Sequence, residues 1–186
     1  MIKSIKELKN YIFRDFEAQN MSQPLLAMLT YGENYAMFSY MKTLRLLEYF
    51  EFKRTKNKIY VPLYYYFLLK FRRKCLKSHI HIHPNVVGPG FAMIHPGFRR
   101  FGEHMKVGCN CVVLPNVLLG RKSPDIRWND YIIEVGDDCY IGTGSVILGP
   151  VKIGSNVTIG AGAVVTKDFP DNVVIAGNPA KIIRYK

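Results

Sequence analysis

Apolar residues follow two different spacings along the chain, and the change falls near residue 79. At the start they recur three or four positions apart, at Ile2, Ile5, Leu8, Ile12 and Phe16. That spacing is typical of one face of an amphipathic helix. Pro24 suits the first turn of a second helix, and the pattern over 35–52 predicts a third. The first part of the chain is therefore predicted to be helical.

From about residue 80 the apolar residues recur every six positions. The clearest run is Val135, Ile141, Ile147, Ile153, Ile159 and Val165. Glycine follows four of these anchors, at Gly136, Gly142, Gly154 and Gly160. Small or β-branched residues stand four positions after an anchor, at Cys139, Ser145, Val151, Val157 and Ala163. A period of six fits neither a helix nor a plain strand, and it predicts a solenoid of short strands in which each coil completes the core of the next.

Earlier anchors have the same spacing but contain two irregularities. They are Phe101, Val107, Val113 and Leu119, with a weaker set at His81, Val87 and Met93. From Met93 to Phe101 the spacing is eight, so two residues are inserted around His95 and Pro96. A later gap of sixteen places an excursion within 121–134. Irregular loops on a rigid scaffold often carry binding groups; the alternative for the excursion is a tolerated surface loop.

The apolar run 59–69 is followed by a basic segment. At 11 residues the run is too short to span a bilayer. One interpretation is an interfacial anchor whose cations contact anionic lipid, namely Lys70, Arg72, Arg73, Lys74 and Lys77. The other is a helix buried against the solenoid or a neighbouring subunit, and the sequence leaves both open.

Charge and cysteine content restrict the partners and the compartment. The net charge of +12 is concentrated in residues 1–80, which hold 15 Lys and Arg against six Asp and Glu. This predicts an anionic partner, either a membrane surface or a phosphate-bearing substrate; without a nucleic-acid motif we expect no nucleic acid. The four cysteines lack disulfide or zinc spacing, and no signal peptide is evident. We therefore expect free thiols and a cytoplasmic protein, with the inner face of the membrane as a further location.

The segments 81–103, 140–170 and 176–184 resemble the hexapeptide-repeat acyltransferases. The branch they resemble is the serine acetyltransferase-like group, which includes many saccharide O-acetyltransferases. The resemblance implies a mainly β protein: a left-handed parallel β-helix over 79–186 that follows a helical region over 1–78. It also implies a homotrimer with active sites between subunits, acetyl-CoA as the acetyl donor, and no metal.

The resemblance also suggests the residues of the site. His95 aligns with the catalytic histidine of the family, and a histidine can take the proton of an attacking hydroxyl near neutral pH. Tyr140 matches an aromatic position beside the pantetheine arm of the cofactor. Further positions match acetyl-CoA contacts in galactoside-acetyltransferase-like relatives, namely Thr143, Ala161, Thr166, Lys167, Lys181 and Arg184.

Departures from the serine acetyltransferase pattern indicate another acceptor. Ile94 and His81 stand where that pattern has aspartates, and Tyr131-Ile132 aligns with its Arg-His pair. Groups that recognise a free amino acid are therefore missing, so we expect a saccharide hydroxyl in surface polysaccharide (capsule or O-antigen) biosynthesis. The candidate substrate-binding residues are Arg99, Arg100 and Trp128. For the partner that orients His95 we expect Glu103 or a backbone carbonyl.

Other functions stay open. Serine O-acetyltransferase is the second candidate, and an amino-sugar N-acetyltransferase is the third, since the same base serves an amine. A non-catalytic hexapeptide scaffold is a further alternative, which the presence of His95 disfavours. His79, His81 and His83 alternate along one strand face, but no wider ligand set is evident. We therefore expect no metal site.

Overall fold

A computed structural model describes residues 1–20, 24–127 and 132–186 of the chain. In this part of the chain four α-helices come first, with a 3-10 turn at Lys58–Tyr60 before the last of them. They are α1 (Ile5–Ala18), α2 (Pro24–Leu29), α3 (Glu33–Lys56) and α4 (Val61–Ser78). All the predicted helices are present, and α3 is longer than the pattern over 35–52 indicates.

Helix α1 buries less of its apolar face than its spacing predicts. Ser4 caps the helix by accepting a hydrogen bond from the Glu7 backbone N–H at 3.1 Å. Ile2 and Leu8 are buried, but Ile5 is 56% exposed. Asp15 is fully buried on the same helix, because it pairs with a cation of α3, as described below.

Short strands form the rest of the described chain. The strands are β1 (Ile80–Ile82), β2 (Ala92–Met93), β3 (Arg99–Phe101), β4 (Met105–Val107), β5 (Val112–Val113), β6 (Val117–Arg121), β7 (Ile133–Val135), β8 (Tyr140–Ile141), β9 (Val146–Gly149), β10 (Val151–Ile153), β11 (Thr158–Ile159), β12 (Val164–Val165), β13 (Val173–Ala176) and β14 (Lys181–Tyr185). They pack into three sheets, in the orders β1-β3-β6-β9-β12, β10-β7-β4 and β14-β13-β11-β8-β5-β2. All pairs are parallel except β13 with β14.

The six-residue anchors form the interior of this three-faced β-helix. All six anchors from Val135 to Val165 are buried, as the period predicts. Coils approach each other so closely that a Cβ added at Gly142 would come within 2.7 Å of the Ala161 backbone nitrogen. The glycines that follow the anchors therefore permit the stacking of the coils.

A buried ionic cluster joins the helices to the first coil. The fully buried guanidinium of Arg45 contacts Asp15 at 2.8 Å and Glu48 at 3.1 Å, and it donates to the carbonyls of Val87 and Gly88. The carboxylate of Asp15 also accepts from the backbone N–H groups of residues 90 and 91. Because each buried charge is paired and hydrogen-bonded, the cluster fixes the helices on the solenoid. The change from helix to strand falls at His79, but one apolar core runs through both parts.

Helix α4 packs on α3 through one face and leaves apolar residues on the other. Phe67 stacks on Phe50 with ring centroids 5.2 Å apart, and Phe71 packs against Tyr40. Exposed apolar side chains of α4 include Leu63, Tyr65, Tyr66, Leu69 and Leu76. None of the helices in the described ranges is both long and apolar enough to cross a membrane. Within 59–69 no side chain is fully buried, and the packed face contacts α3, so burial against the solenoid or a neighbouring subunit and contact with a membrane surface both stay predictions.

Candidate active site

His95 lies on the two-residue insertion that the sequence spacing predicts. Ile94 still pairs with the next coil, since its N–H donates to the carbonyl of Val113, and Phe98 pairs with that coil again by accepting from Asn116. His95 and Pro96 are the extra residues between these pairs. His95 adopts a left-handed backbone conformation with φ of +60°, and its side chain is 62% exposed. The insertion therefore displays the imidazole at a corner of the β-helix.

The carboxylate beside His95 comes from the helical region. Nδ1 of His95 lies 2.9 Å from Oε1 of Glu33, the first residue of α3. No signal in the sequence pointed to this pair, since 62 residues separate its members and the contact depends on how α3 docks. A proton on Nδ1 that is shared with Glu33 leaves Nε2 available as the basic nitrogen.

Glu103 lies elsewhere, so the prediction that it orients His95 is wrong within this chain. Its carboxylate is 3.3 Å from Nε2 of His104 and 3.7 Å from Nε2 of His83. Glu103 follows β3, at the other end of the strand from the His95 corner. It belongs to a histidine cluster beside the first coil.

Arg99 supports the His95 loop from inside the β-helix. Its side chain is fully buried and donates to four backbone carbonyls: Ile94, His95 at 2.8 Å, Val113 at 3.1 Å and Gly97 at 3.2 Å. Burial lowers the pKa of this guanidinium to about 10, which leaves it charged at neutral pH. The prediction that Arg99 binds substrate is therefore wrong, because the interior encloses the side chain and both terminal nitrogens donate to these carbonyls.

The helices also support the strand that leads into the loop. Gln19 is buried, and in its better-satisfied amide orientation it both donates to and accepts from the backbone of Met93 at 3.1 Å. Gln19 thus makes the same pair of hydrogen bonds to the outer edge of β2 that the backbone of a neighbouring strand would make. With the Glu33 contact, they make the helical region part of the surroundings of His95.

The small residues predicted to contact acetyl-CoA continue the His95 corner. Thr143 and Ala161 occupy the corners of two successive coils, and the Gly162 N–H donates to the carbonyl of Thr143 at 2.9 Å. The hydroxyl and the following N–H of this coil both reach the carbonyl of Pro115, at the corner next to His95. With coils about 4.8 Å apart, His95 and Ala161 are separated by three steps, about 14 Å along the corner.

The remaining predicted cofactor residues lie toward the last coils. Tyr140 and Arg184 share one outward column of the six-stranded sheet, with Thr158 and Val174 between them in register. Lys181, Lys167 and Arg184 are exposed, and the ammonium of Lys167 lies 5.6 Å from the ring of Phe169. The carbonyl of Thr166 accepts from the ammonium of Lys122 at 3.2 Å. Lys122 is thus a further cation near these residues that the sequence pattern did not reveal.

Comparison with known proteins supports this architecture. The family model "Bacterial transferase hexapeptide (six repeats)" matches residues 133–167. Serine acetyltransferase from Brucella abortus strain S19 has a similar structure, with a TM-score of 0.73 and 26% identity over 97% of this chain and 70% of that one. Residues 133–167 thus match a hexapeptide-repeat transferase model, and the whole chain is similar in structure to a serine acetyltransferase. These matches confirm the predicted left-handed β-helix with an N-terminal helical region.

Curated relatives of this hexapeptide-repeat protein include two kinds of acetyltransferase. Serine acetyltransferase 3, mitochondrial, from Arabidopsis thaliana is 37% identical over 58% of this chain and 27% of its own length. Galactoside O-acetyltransferase from Escherichia coli (strain K12) is 40% identical over 42% of each chain. The chain therefore spans less than half of the length of either curated relative.

Two other predictions concern substrate and metal in this hexapeptide-repeat protein. Arg100 is exposed on the outward face of β3, as substrate binding requires. Trp128 lies outside the described residues, as does Tyr131.

Among the residues that the structure describes, no three His, Cys, Asp or Glu side chains come together in a way that would hold a metal ion. The four cysteines are free thiols, as their spacing predicts.

Proposed function

We propose that this chain is an acetyl-CoA-dependent O-acetyltransferase that acts on a saccharide hydroxyl in the biosynthesis of surface polysaccharide. The observation that carries the proposal is the exposed His95 on its insertion, with Nδ1 held 2.9 Å from Glu33. This arrangement presents Nε2 to an incoming hydroxyl. A histidine whose second nitrogen is held by a carboxylate is suited to act as a general base.

The chemistry follows from this orientation. Nε2 of His95 removes the proton of the acceptor hydroxyl as its oxygen attacks the thioester carbonyl. The imidazolium, stabilised by Glu33, then returns the proton to the leaving thiolate. General base catalysis of this kind is worth roughly 10²–10⁴-fold in rate. Arg99 keeps the loop carbonyls in place, so the imidazole stays at the corner during the reaction.

Acetyl-CoA is the proposed donor, and the surface from His95 to the last coils is suited to it. A thin amide-bearing arm can lie along the small residues of the corner, where Thr143 retains lone pairs to accept hydrogen bonds, and beside the ring of Tyr140. The exposed cations Lys167, Lys181 and Arg184 are suited to the phosphates of the nucleotide end. A solved relative, serine acetyltransferase of Brucella abortus strain S19, is similar to this chain in its complex with coenzyme A, with a TM-score of 0.71.

A saccharide acceptor is favoured by two departures from the serine acetyltransferase pattern. Ile94 and His81 replace the two aspartates of the serine acetyltransferase pattern, so the site lacks carboxylates there to hold an amino acid's ammonium group. Serine O-acetyltransferase is the second candidate, because solved serine acetyltransferases match nearly the whole chain, helices included. Transfer to an amino-sugar nitrogen would use the same base.

A homotrimer with active sites between subunits is part of the proposal, as is a cytoplasmic location. The similarity to hexapeptide-repeat transferases supports the trimer. The exposed aromatic residues of α4 and its basic segment support a peripheral contact with the anionic inner face of the membrane. Size-exclusion chromatography with light scattering tests the trimer, which a monomer at micromolar concentration would contradict.

An acceptor screen tests the function. Release of the CoA thiol from acetyl-CoA is measured with oligosaccharides, amino sugars and free serine under identical conditions. The proposal predicts turnover with an oligosaccharide and formation of an O-acetyl ester. Robust turnover with serine alone would establish the second candidate instead, and absence of acetyl-CoA binding would rule out the enzyme.

A further inference from the structure

A cavity of about 570 Å³ opens between the helices and the first coils, and none of the residues 94–98 lines it. Its helical wall is formed by α3 and α4, and its other wall by β1, β3 and the residues that follow them. The volume lies within the range of ligand pockets, which is roughly 300–1,000 Å³. Nothing in the proposed chemistry of His95 uses this space.

Two arginines in the lining of the cavity have no partner among the described residues. Arg72 from α4 and Arg100 from β3 both line it, and within the described ranges neither guanidinium has a hydrogen bond or an ion pair. His81 stands beside Arg100, because the two residues are paired in register between β1 and β3. Two free guanidinium groups form a site for an oxyanion, since each presents several donors in a fixed plane.

The carboxylates in and near the cavity already contact other side chains. Glu51 is the carboxylate among the described lining residues, and it accepts a hydrogen bond from Asn85 at 3.2 Å. Glu103 lies just outside, within 3.7 Å of His83 and closer to His104. These carboxylates therefore contact other groups, and the guanidinium groups of Arg72 and Arg100 are left to a ligand.

Most of the α4 residues that line the cavity with Arg72 are apolar. Leu68, Phe71 and Leu76 of α4 face the space together with Tyr64. Phe71 is buried, but the Leu76 side chain is 71% exposed. A bare anion would leave this wall in contact with water, whereas an alkyl or prenyl group would cover it. The lining therefore fits a ligand that combines an anionic head with an apolar chain.

The geometry points to a binding site for a phosphate ester that bears an apolar chain, with the phosphate on Arg72 and Arg100 and the chain along α4. Arg100 follows His95 by five residues on the same coil. This inference deepens the proposed function, because such an ester is the lipid-phosphate end of a lipid-linked glycan acceptor. The site itself is defined by its own residues and can be tested without any acetyl transfer.

The experiment is calorimetric titration of the full chain with three probes: octyl phosphate, inorganic phosphate and the neutral octyl glucoside. We expect saturable binding of one octyl phosphate per chain, with at least about tenfold weaker binding of the other two probes. Arg72→Gln and Arg100→Gln should each weaken octyl phosphate binding by about tenfold or more, the size expected for a charge-assisted hydrogen bond. Arg73→Gln is the matched control, since Arg73 is an exposed α4 neighbour that does not line the cavity.

The imidazole signals in NMR spectra locate the ligand. Octyl phosphate should shift the signals of His81 and His83, and it should bind His95→Asn with unchanged affinity. Equal affinity for octyl glucoside would show that the cavity binds only the alkyl group and not the phosphate. Equal affinity for inorganic phosphate would show that the alkyl group of the ligand does not contribute to binding. Unchanged binding to Arg100→Gln would overturn the site. Because binding is measured without acetyl-CoA, failure of the site and failure of the enzymatic function are distinguishable.

Discussion

In the regular coils between Val135 and Val165 the described inward positions hold aliphatic or small side chains, whereas the coil that carries His95 places Arg99 in the interior. The column that contains Arg99 continues through Val117 and Ser145 in register. The regular coils need only apolar contacts and backbone pairing to hold their shape. The irregular coil has a longer corner whose carbonyls lose their partners, and a buried guanidinium supplies the missing donors.

The comparison extends to the helices. Backbone pairs hold each regular coil to the coils next to it, and the first coils are in addition held by Asp15, Gln19 and Glu33 of the helical region. A departure from the repeat thus requires polar groups from outside the repeat. This accounts for the helical region beside the His95 corner, and it gives predictions that separate the two kinds of coil.

The largest expected effect is at His95. His95→Asn should lower kcat for acetyl transfer by about 10²–10⁴-fold, because the base is lost. Asparagine tolerates the left-handed conformation that this position requires, so folding should be preserved. His79→Asn is the matched control, since His79 also has a positive φ of 56° and is exposed. Thiol-release kinetics measure kcat for both variants. A similar loss of kcat in the His79 control would contradict the role of His95 as the base.

The next largest effect is on the free energy of unfolding, and it compares an interior residue of the His95 coil with one of a regular coil. Arg99→Met should lower the free energy of unfolding by about 3 kcal/mol, since several buried carbonyls lose their donors at about 1–3 kcal/mol each while the cost of burying a charge is relieved. Ser145→Ala, in the same column, should change it by less than about 0.5 kcal/mol, because the buried hydroxyl has no partner. Urea unfolding measures both. Equal effects at the two positions would contradict the role assigned to Arg99.

A smaller effect is expected at Glu33. Glu33→Gln should lower kcat about twofold to fivefold with little change in KM, because an exposed ion pair is worth at most about 1 kcal/mol. Glu33→Asp should recover part of the loss. Glu134→Gln, which removes the surface partner of Lys106 on a regular coil, should leave kcat unchanged. A KM effect without a kcat effect would assign Glu33 to substrate binding instead.

The smallest effect is a pH dependence in the helical region. Burial, with repulsion from Lys70 and Lys42, lowers the pKa of Lys74 to about 8. A lowered pKa means that the folded state loses this proton before the unfolded state does, so the contribution of Lys74 to stability rises between pH 8 and about pH 10. Relative to Lys74→Met, the native chain should gain stability over this window. Thermal unfolding at pH 7 and pH 9.5 measures it, with the exposed Lys152→Met as control.

The repeat made most of the fold predictable from the sequence. Anchors six residues apart identified the buried columns, and the count between Met93 and Phe101 located the insertion at His95. The burial of Arg99 could also have been predicted from the sequence. Arg99 stands two residues before the inward Phe101, and alternate residues of a strand share a face. The contact of Glu33 with His95 could not be predicted, since it depends on how the helices dock rather than on any local pattern.

Mass spectrometry of an oligosaccharide acceptor after incubation with acetyl-CoA tests the central claim most directly. The account predicts an alkali-labile O-acetyl ester on the acceptor with the native chain, and at least about a hundredfold less of it with His95→Asn. Equal yields of the ester from both proteins would contradict the assignment of His95 as the base.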